Sequence, residues 1–391
     1  MKQIYFDHSA TTPLDPRVVE AMLPSYAAGF GNPSSLHWAG QEAKQALDEG
    51  RHQVAELFHA GPDEIVFTAS GTESDNMVLK GVAGQYRVDD CHIITSSFEH
   101  PAILESCKYL ERQGYALSYL PVTPEGIVDP QSLVQALRPK TRLVSVMAAN
   151  NVVGTLQPIA ELARITKAHG ALFHTDAVQA VGKIPLHTDT LPIDFLSLSA
   201  HKLHGPKGIG ALYIRQGVKI EPLIHGGGQE RGIRSATENV AAIAGLGKAA
   251  EIAGAEMSAE AARLVRLRDR IIAEVGEKIP NAYLIGHRYK RLPGHICLGF
   301  AGQEGEAIHL MLALNEAGIA ISTGSACSSH HAGQPSYILT AMGFDPIRAR
   351  GSLRITLGRF NTDAEVDAFL SILPGLVGDL HPVTSRSFAA A

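Results

Sequence analysis

The sequence has few cysteines and no long apolar segment. Its 391 residues include four cysteines, whose wide spacing forms neither a disulfide framework nor a metal-binding repeat. Because no run of about 18 apolar residues is present, we expect no membrane span. The N-terminal sequence MKQIYFDHSATT also lacks the apolar core of a signal peptide. These absences together favour a cytoplasmic, reducing environment.

Basic residues are not in excess either. The chain has 34 lysines and arginines against 39 acidic residues, for a formal net charge of -5. This balance excludes the basic surface of a general nucleic-acid-binding protein. With 45% hydrophobic and 19% charged residues, the composition is typical of a soluble globular enzyme. The length exceeds what one hydrophobic core usually supports, so two domains are expected.

Between roughly residues 60 and 215, apolar segments rich in β-branched residues alternate with helical patterns. This alternation predicts an α/β domain built on a large, mostly parallel sheet. The segment GALYIRQ is expected to add a strand of antiparallel orientation. The other predicted strands are EIVFTAS, HIITSSF, TRLVSVMAA, ALFHT and DFLSLS.

An Ala-rich helical segment from about residue 239 to 280 follows this array. A helix of this length often joins two domains, and the short strands HICLGF and LRITL beyond it alternate with helices. We therefore predict a large α/β domain over residues 15–260. A smaller α+β domain is predicted over residues 261–391, together with residues 1–14.

Polar residues follow each predicted strand of the array. In a parallel α/β sheet the carboxyl ends of the strands face one crevice, where ligands bind. A polar residue at one strand end carries little information, but five strands supply such residues here. They are Gly71 and Thr72, His100, Asn151, Asp176 and Gln179, and finally Ser199, His201 and Lys202.

Two of these residues match the reactive parts of pyridoxal phosphate. Lys202, in SAHKLHGPKG, can bond covalently to the cofactor aldehyde if it loses its proton, which a partly desolvated position favours. Asp176 can pair with the pyridinium nitrogen, which keeps the ring able to accept electrons. The alternative for Lys202 is a plain surface lysine, which its polar neighbours disfavour.

The other residues match the phosphate and the ring substituents. Gly71 and Thr72 open a predicted helix, whose free N–H groups and dipole favour a phosphate, although Thr72 could serve only as a helix cap. Further roles are predicted for five residues: Ser199 and His201 on the phosphate, His100 stacked on the ring, Gln179 on the ring oxygen, and Asn151 on that oxygen or on a substrate carboxylate.

One cysteine differs from the other three in its surroundings. Cys327 lies in STGSACSSHH, where small residues favour an exposed loop and a thiol that can react. The alternative is an accidental surface thiol. Cys91, Cys107 and Cys297 occupy apolar or helical contexts and are expected to be inert packing residues. Arg354, in GSLRITLGRF, can bind a substrate carboxylate bidentately; the alternative is a weak surface salt bridge.

These motifs together resemble the NifS/IscS-type cysteine desulfurases of the class V aminotransferase fold. The resemblance covers nearly the whole chain, and its most specific parts are YFDHSATTPLDPRV, SGTESDN, HTDAVQAVGK, SAHKLHGPKG, GGGQERGIRSATEN and STGSACSS. It implies a fold-type I pyridoxal-phosphate-dependent transferase with the cofactor on Lys202. It also implies a persulfide on Cys327 and a homodimer in which Thr237 reaches the phosphate bound by the partner subunit.

The activity implied by this resemblance is the conversion of L-cysteine to L-alanine. Asn151 and Arg354 would hold the substrate carboxylate, Lys202 would remove the Cα proton, His100 would handle further protons, and Cys327 would take the sulfur. The sulfur would then pass to an acceptor such as an iron–sulfur scaffold protein. Alternatives are a selenocysteine lyase, a class V aminotransferase and a non-catalytic sulfur or metal carrier.

The chain departs from the usual pattern of this family at four places. Ser9 replaces an alanine, Ala236 replaces a glycine, and NNVVGT replaces NNEIGT. The fourth is the pair His330 and His331 after Cys327. A closed metal site needs about four ligands, so no resident metal is expected and Cys327 is at most a transient iron–sulfur ligand.

Overall fold

A computed structural model of the chain describes residues 3–324 and 335–380. Cys327, His330 and His331 lie outside the described residues. The strands in the described part are β1 (Ile4–Tyr5), β2 (Ile65–Thr68), β3 (His92–Ser96), β4 (Ala116–Leu120), β5 (Thr141–Ser145), β6 (Leu172–Asp176), β7 (Phe195–Ser199), β8 (Gly210–Ile214), β9 (Ala282–Leu284), β10 (His295–Phe300), β11 (Ile319–Ala320), β12 (Ser322–Thr323) and β13 (Leu353–Thr356).

The main sheet has seven strands in the order β2-β8-β7-β6-β5-β3-β4. Strand β8 runs antiparallel to both of its neighbours, and the other pairs are parallel. The predicted mostly parallel sheet and the antiparallel orientation of GALYIRQ are therefore confirmed. Strand β4 was not predicted, because it lies at the sheet edge and only Leu120 among its residues is fully buried.

Two helix boundaries follow from the local sequence. Pro101 opens one helix, and Gly170 ends another in the left-handed conformation, with φ at 89°. None of the helices in the described ranges is long and apolar enough to cross a membrane. The helices are α1 (Pro16–Ala27), α2 (Trp38–Phe58), α3 (Gly71–Ala83), α4 (Pro101–Arg112), α5 (Pro130–Ala136), α6 (Ile159–His169), α7 (Val240–Lys278), α8 (Ala307–Glu316), α9 (Tyr337–Ala341) and α10 (Asp363–Gly378).

Helix α7 packs into two separate hydrophobic cores. Its first half contributes residues such as Leu246 to the core around the main sheet. Its second half contributes Leu267 and Ile271 to a core beneath a second, antiparallel sheet of order β12-β13-β10-β9, where Phe6 also packs. The boundary predicted at residue 260 falls between these two groups, and we propose it as the domain division.

The N-terminal segment, residues 7–12, runs from the small sheet to the end of β7. Asp7 forms an isolated parallel bridge with Thr356 of β13. Five residues later, the backbone N–H of Thr12 donates to the carbonyl of His201 at 3.0 Å. The segment therefore passes along the carboxyl end of the main sheet, where the predicted site residues lie.

Candidate active site

Ten residues singled out in the sequence line one cavity of about 560 Å³ at the carboxyl end of the main sheet. The topology brings them together, because the strands and helix starts that carry them meet at this edge. The N-terminal segment and the small sheet complete the wall. The ten residues are Gly71, Thr72, His100, Asn151, Asp176, Gln179, Ser199, His201, Lys202 and Arg354.

Lys202 lies in a single turn of 3-10 helix, Ala200–Lys202, directly after β7. Its Nζ donates hydrogen bonds to the carbonyl oxygens of Ser9, at 2.5 Å, and Ala10, at 2.7 Å. Both acceptors belong to the N-terminal segment that borders the cavity. The amine is thus held at the cavity wall by the main chain.

Asp176 ends β6 and is buried, and its Oδ1 accepts the backbone N–H of Val178 at 2.9 Å. Burial raises the pKa of Asp176, whereas His100 and Lys202 nearby act to lower it. A cation placed against this carboxylate would favour its ionised form, because an opposite charge nearby offsets the cost of burial. Gln179 donates from Nε2 to the carbonyl of Ser9 at 3.0 Å.

His100 caps the start of α4 with its side chain. Its Nδ1 accepts the backbone N–H of Ala102 at 3.1 Å, and burial lowers its pKa. A neutral ring whose Nδ1 is an acceptor carries its proton on Nε2. Nε2 is therefore the ring nitrogen left to exchange a proton with a ligand in the cavity.

The start of α3 lies unusually close to the end of β6. A Cβ atom on Gly71 would lie 2.5 Å from Cγ2 of Val178, so only glycine allows this approach. The N–H groups of the first turn of a helix have no partner within the helix. Oγ of Ser70 accepts the N–H of Glu73 at 3.1 Å. The N–H groups of Gly71 and Thr72, together with Ser199 and His201, form a set of donors suited to a phosphate.

The chemistry of this cavity fits pyridoxal phosphate. The helix start, Ser199 and His201 suit the anionic phosphate, and the buried carboxylate of Asp176 suits a cationic ring nitrogen. Lys202 supplies an amine beside them. The buried Oε1 of Gln179 has no hydrogen-bond partner among the described residues, so this atom can accept a hydrogen bond from a cofactor in the cavity.

Arg354 is a buried residue and not the exposed salt-bridge residue considered as an alternative. Its side chain is 2% exposed and lines the cavity. Nη2 donates to Oδ1 of Asp7 at 2.9 Å, and Nη1 donates to the carbonyl of Asn151 at 3.3 Å. A guanidinium in this position can bind the carboxylate of an amino acid in the cavity.

The family model of the class V aminotransferases matches residues 4–369. The chain belongs to the class V aminotransferase family. Among class V relatives, a cysteine desulfurase IscS from Dictyoglomus turgidum is 50% identical, over 98% of this chain and 96% of that protein. A cysteine desulfurase IscS from Methanosarcina thermophila is 49% identical, over 99% of this chain and 96% of that protein.

A solved NifS-like protein has the same fold as this class V aminotransferase family member. Its TM-score is 0.90 at 41% identity, and the match covers 97% of this chain and 100% of that one. The fold-type I architecture predicted from the sequence is confirmed by this structure. The predicted enzyme class, a cysteine desulfurase, is confirmed by these two relatives. Both are named cysteine desulfurases, and both match this chain over nearly their full length.

One predicted residue of this class V protein, Thr237, does not line the cavity described here. Thr237 is exposed, and its neighbour Glu238 lines a different, open cavity beside α2. The role of Thr237 toward a partner subunit stays a prediction. Cys327 lies outside the described residues, although Ser322, which precedes it in the sequence, lines the main cavity.

Sequence reasoning missed several residues of the cavity. Asp7 and Ser9 line it from the N-terminal segment, Asp75 from α3, and Ser322 from β12. Asp7 and Ser9 lie in the motif YFDHSATT, and Asp75 lies in SGTESDN, so the motifs were seen without these roles. No strand-end argument applies to Asp7 or Ser322, because they reach the cavity through the second sheet.

The serine that replaces the usual alanine of the family contacts this site. Ser9 donates from Oγ to the carbonyl of Asn151 at 2.7 Å, and its own carbonyl accepts from Lys202 and Gln179. The backbone contacts would exist with alanine as well. The substitution therefore adds one hydrogen bond to a wall that the main chain already forms.

Proposed function

We propose that this cysteine desulfurase binds pyridoxal phosphate through Lys202, converts L-cysteine to L-alanine and takes the sulfur on Cys327. The observation that carries this proposal is the convergence of Lys202, Asp176, the start of α3 and Arg354 in one cavity. An amine, a buried carboxylate, a phosphate-binding helix start and a carboxylate-binding guanidinium are the groups that an amino-acid-processing pyridoxal enzyme needs.

Different residues of the cavity bind the substrate and transfer its protons. Pyridoxal phosphate, when bound, supplies a site for the substrate amine and accepts electrons from Cα. Arg354 and Asn151 orient the substrate carboxylate. The Lys202 amine removes the Cα proton, and Nε2 of His100 exchanges a proton with the substrate thiol, because its Nδ1 is held by Ala102.

The sulfur transfer uses the thiolate of Cys327. The thiolate attacks the substrate sulfur, a sulfur–sulfur bond forms, and the carbon–sulfur bond of the substrate breaks with its electron pair left on carbon. Carbon then takes a proton. L-cysteine and the enzyme thiol thus become L-alanine and an enzyme persulfide, with no other reactant. The outer sulfur passes to the thiol of an acceptor, such as an iron–sulfur scaffold protein, by exchange.

A homodimer in a cytoplasmic environment is part of this proposal. Large apolar side chains are exposed on and before α2: Phe30 is 71% exposed, Leu36 93% and Trp38 65%. Such exposed apolar residues favour a protein partner. Thr237 does not line the cavity of its own chain, so a role in cofactor binding would require a second subunit. A reducing environment suits a thiol nucleophile that must be regenerated.

Borohydride trapping followed by peptide mapping tests the cofactor assignment. The enzyme purified with pyridoxal phosphate is reduced, digested and analysed by mass spectrometry, and we expect a pyridoxyl group on Lys202 only. Lys202→Ala should lose the visible absorbance, whereas the control Lys207→Ala should keep it. A pyridoxyl group on Lys183 or Lys207 in place of Lys202 would contradict the proposal.

A further inference from the structure

Asp7 is placed beside Arg354 by the pairing of two distant strands. It follows β1 and bridges Thr356 of β13. Arg354 and Thr356 lie two positions apart on that strand, so their side chains share one face. Backbone contacts fix this placement, since the N–H of His8 donates to the carbonyl of Thr356 and the hydroxyl of Tyr5 donates to the carbonyl of Asp7.

Both carboxylate oxygens of Asp7 are used in binding protein groups. Oδ1 accepts from Nη2 of Arg354 at 2.9 Å, and Oδ2 accepts from Oγ of Ser322 at 2.9 Å. The Asp7 side chain is 14% exposed, and that of Arg354 is 2% exposed. A charge-assisted contact in such a buried place restricts the guanidinium far more than an exposed pair would.

The guanidinium of Arg354 nevertheless keeps unused donor capacity. Nη1 donates to the carbonyl of Asn151 at 3.3 Å, and Nε is buried with no acceptor among the described residues. Leaving a charged N–H buried and unpaired is unfavourable. An acceptor group of a bound ligand would therefore be stabilised at this position. Asp7 and the Asn151 carbonyl together hold the plane of the guanidinium while leaving donors for a carboxylate in the cavity.

We propose that Asp7 is a positioning residue that orients Arg354 for the substrate carboxylate and thereby sets the affinity for L-cysteine. The inference rests on the proposed function, because the carboxylate-binding role of Arg354 belongs to it. Asp7 acts only through Arg354. Its removal should weaken the binding of ligands that carry a carboxylate and leave ligands without one unaffected.

L-cysteine and cysteamine, which lacks the carboxylate, separate this role from a general structural one. Binding of each to the cofactor-loaded enzyme is titrated by absorbance. In Asp7→Ala we expect about tenfold weaker binding of L-cysteine, the size of a lost charge-assisted hydrogen bond, with cysteamine binding unchanged. The KM for L-cysteine should rise by a similar factor, and kcat should change less than about threefold.

Asp15 provides a matched control. It is another buried acid near the N-terminus, and its Oδ2 pairs with Nη1 of Arg359 at 2.6 Å, but neither residue lines the cavity. Asp15→Ala should lower stability without changing the ratio of the two affinities. Asp7→Asn, which keeps the shape and one acceptor, should show a smaller loss of about threefold, since neutral hydrogen bonds are weaker.

Several outcomes would overturn the inference. Equal weakening of L-cysteine and cysteamine in Asp7→Ala would assign Asp7 a general structural role. If Asp7→Ala does not fold, an unchanged ratio of the affinities for L-cysteine and cysteamine in Asp7→Asn would also assign Asp7 a general structural role. A crystal structure of the variant with Arg354 still directed to the Asn151 carbonyl would also contradict it. Failure of the wild-type enzyme to bind L-cysteine would instead refute the proposed function.

Discussion

The buried carboxylate of Glu99 accepts one bifurcated hydrogen bond from the backbone N–H of Met147, whose nitrogen lies 3.0 and 3.1 Å from the two carboxylate oxygens. The hydroxyl of Ser96 donates to the same carboxylate at 2.5 Å. Glu99 directly precedes His100, and Met147 lies just beyond β5 on the way to Asn151. This contact therefore joins the two strand ends that carry these site residues.

Glu99 should make the stability of the protein depend on pH. Burial raises its pKa to about 8 in the folded state, against a value near 4.5 in the unfolded chain. Between these two pH values the folded state binds a proton that the unfolded state lacks, so this group's contribution to stability falls as pH rises. The change over the whole window is on the order of 5 kcal/mol.

Glu99→Gln should remove this dependence. Urea unfolding of the wild type and the variant, measured between pH 5 and 8, should show the wild type losing stability relative to the variant as pH rises. Other titrating groups are common to both proteins and cancel in the difference. Gln in place of the exposed Glu105 serves as the control. Parallel pH profiles for wild type and Glu99→Gln would contradict the assignment.

Gly71→Ala should weaken cofactor binding. The new Cβ would lie 2.5 Å from Cγ2 of Val178, so the start of α3 would have to move away from β6. Overpacking of this kind costs about 1–3 kcal/mol. If cofactor binding requires the present position of α3, the dissociation constant for pyridoxal phosphate should rise by roughly fivefold to 150-fold. Equilibrium dialysis of the reconstituted apoenzyme measures this constant.

A second substitution tests the stated cause of the Gly71→Ala effect. Removing the Val178 side chain in Gly71→Ala/Val178→Ala should restore much of the affinity, because the clash is with Cγ2. Val178→Ala alone supplies the baseline for the double variant. If the double variant binds the cofactor no better than Gly71→Ala does, the contact with Val178 is not the cause.

The sequence predicted the site residues that lie at the ends of the main-sheet strands. It missed the residues that are placed by pairing between segments far apart in the chain. Lys202 and Asp176 directly follow apolar runs, and parallel strands bring their ends together without further information. Asp7 reaches the cavity through a bridge to Thr356, which is far along the chain. Strand β1 has only two residues, so no periodic pattern could indicate this pairing.

The two long helices, α7 and α2, differ in how well their packing could be predicted from the sequence. Helix α7 was predicted because it is long and rich in alanine. Helix α2 is also long, yet much of its buried face consists of small residues such as Ala39, Gly40, Ala43 and Gly50. A face of small residues gives a weak apolar pattern, so the packing of α2 on α7 could not be inferred from periodicity.

Ala236→Gly should stabilise the protein. Ala236 has a φ of 145°, a conformation that glycine adopts far more easily than other residues. Relief of strain of about 1–3 kcal/mol exceeds the added freedom of glycine in the unfolded chain, about 0.5–1 kcal/mol. We expect a net gain of about 1 kcal/mol in the free energy of unfolding, measured in urea.

A matched control for Ala236→Gly lies in helix α7. Ala255 is exposed in a regular helix, so Ala255→Gly should lose about 1 kcal/mol through the low helix propensity of glycine. The two substitutions are chemically identical and should have opposite signs. A loss of stability in both would show that the backbone at Ala236 is not strained.

The three described cysteines should resist alkylation in the folded enzyme. Cys91, Cys107 and Cys297 are buried, and burial raises the pKa of Cys91 and of Cys297 to about 11. The reactive form is the thiolate, which these residues populate little at pH 7.5. Brief iodoacetamide treatment followed by mass spectrometry should modify only Cys327 in the native protein, and all four cysteines in urea.

The control for this experiment is Cys327→Ala. The native variant should take up no label, and its three remaining cysteines should react only after unfolding. Rapid native labelling at Cys91, Cys107 or Cys297 would be inconsistent with their burial. It would also weaken the assignment of Cys327 as the thiol that receives sulfur.

Cys327→Ala should abolish sulfur release without affecting cofactor or substrate binding. The groups that bind these molecules are held by contacts within the described residues: Lys202 by Ser9 and Ala10, Asp176 by Val178, and Arg354 by Asp7. The variant should therefore stay coloured and change its absorbance on addition of L-cysteine. Alanine production should fall on the order of a thousandfold or more, because the nucleophile is missing.

Two comparisons make the Cys327→Ala result specific. Cys107→Ala removes a buried thiol away from the cavity and should leave turnover within a few-fold of wild type. The double variant His330→Ala/His331→Ala should produce alanine at nearly the wild-type rate, since these residues take no part in the proposed chemistry. A persulfide should be detected by mass spectrometry in both of these variants but not in Cys327→Ala. Alanine production by Cys327→Ala at the wild-type rate would refute the cysteine assignment, because only a route without an enzyme thiol could then release the sulfur.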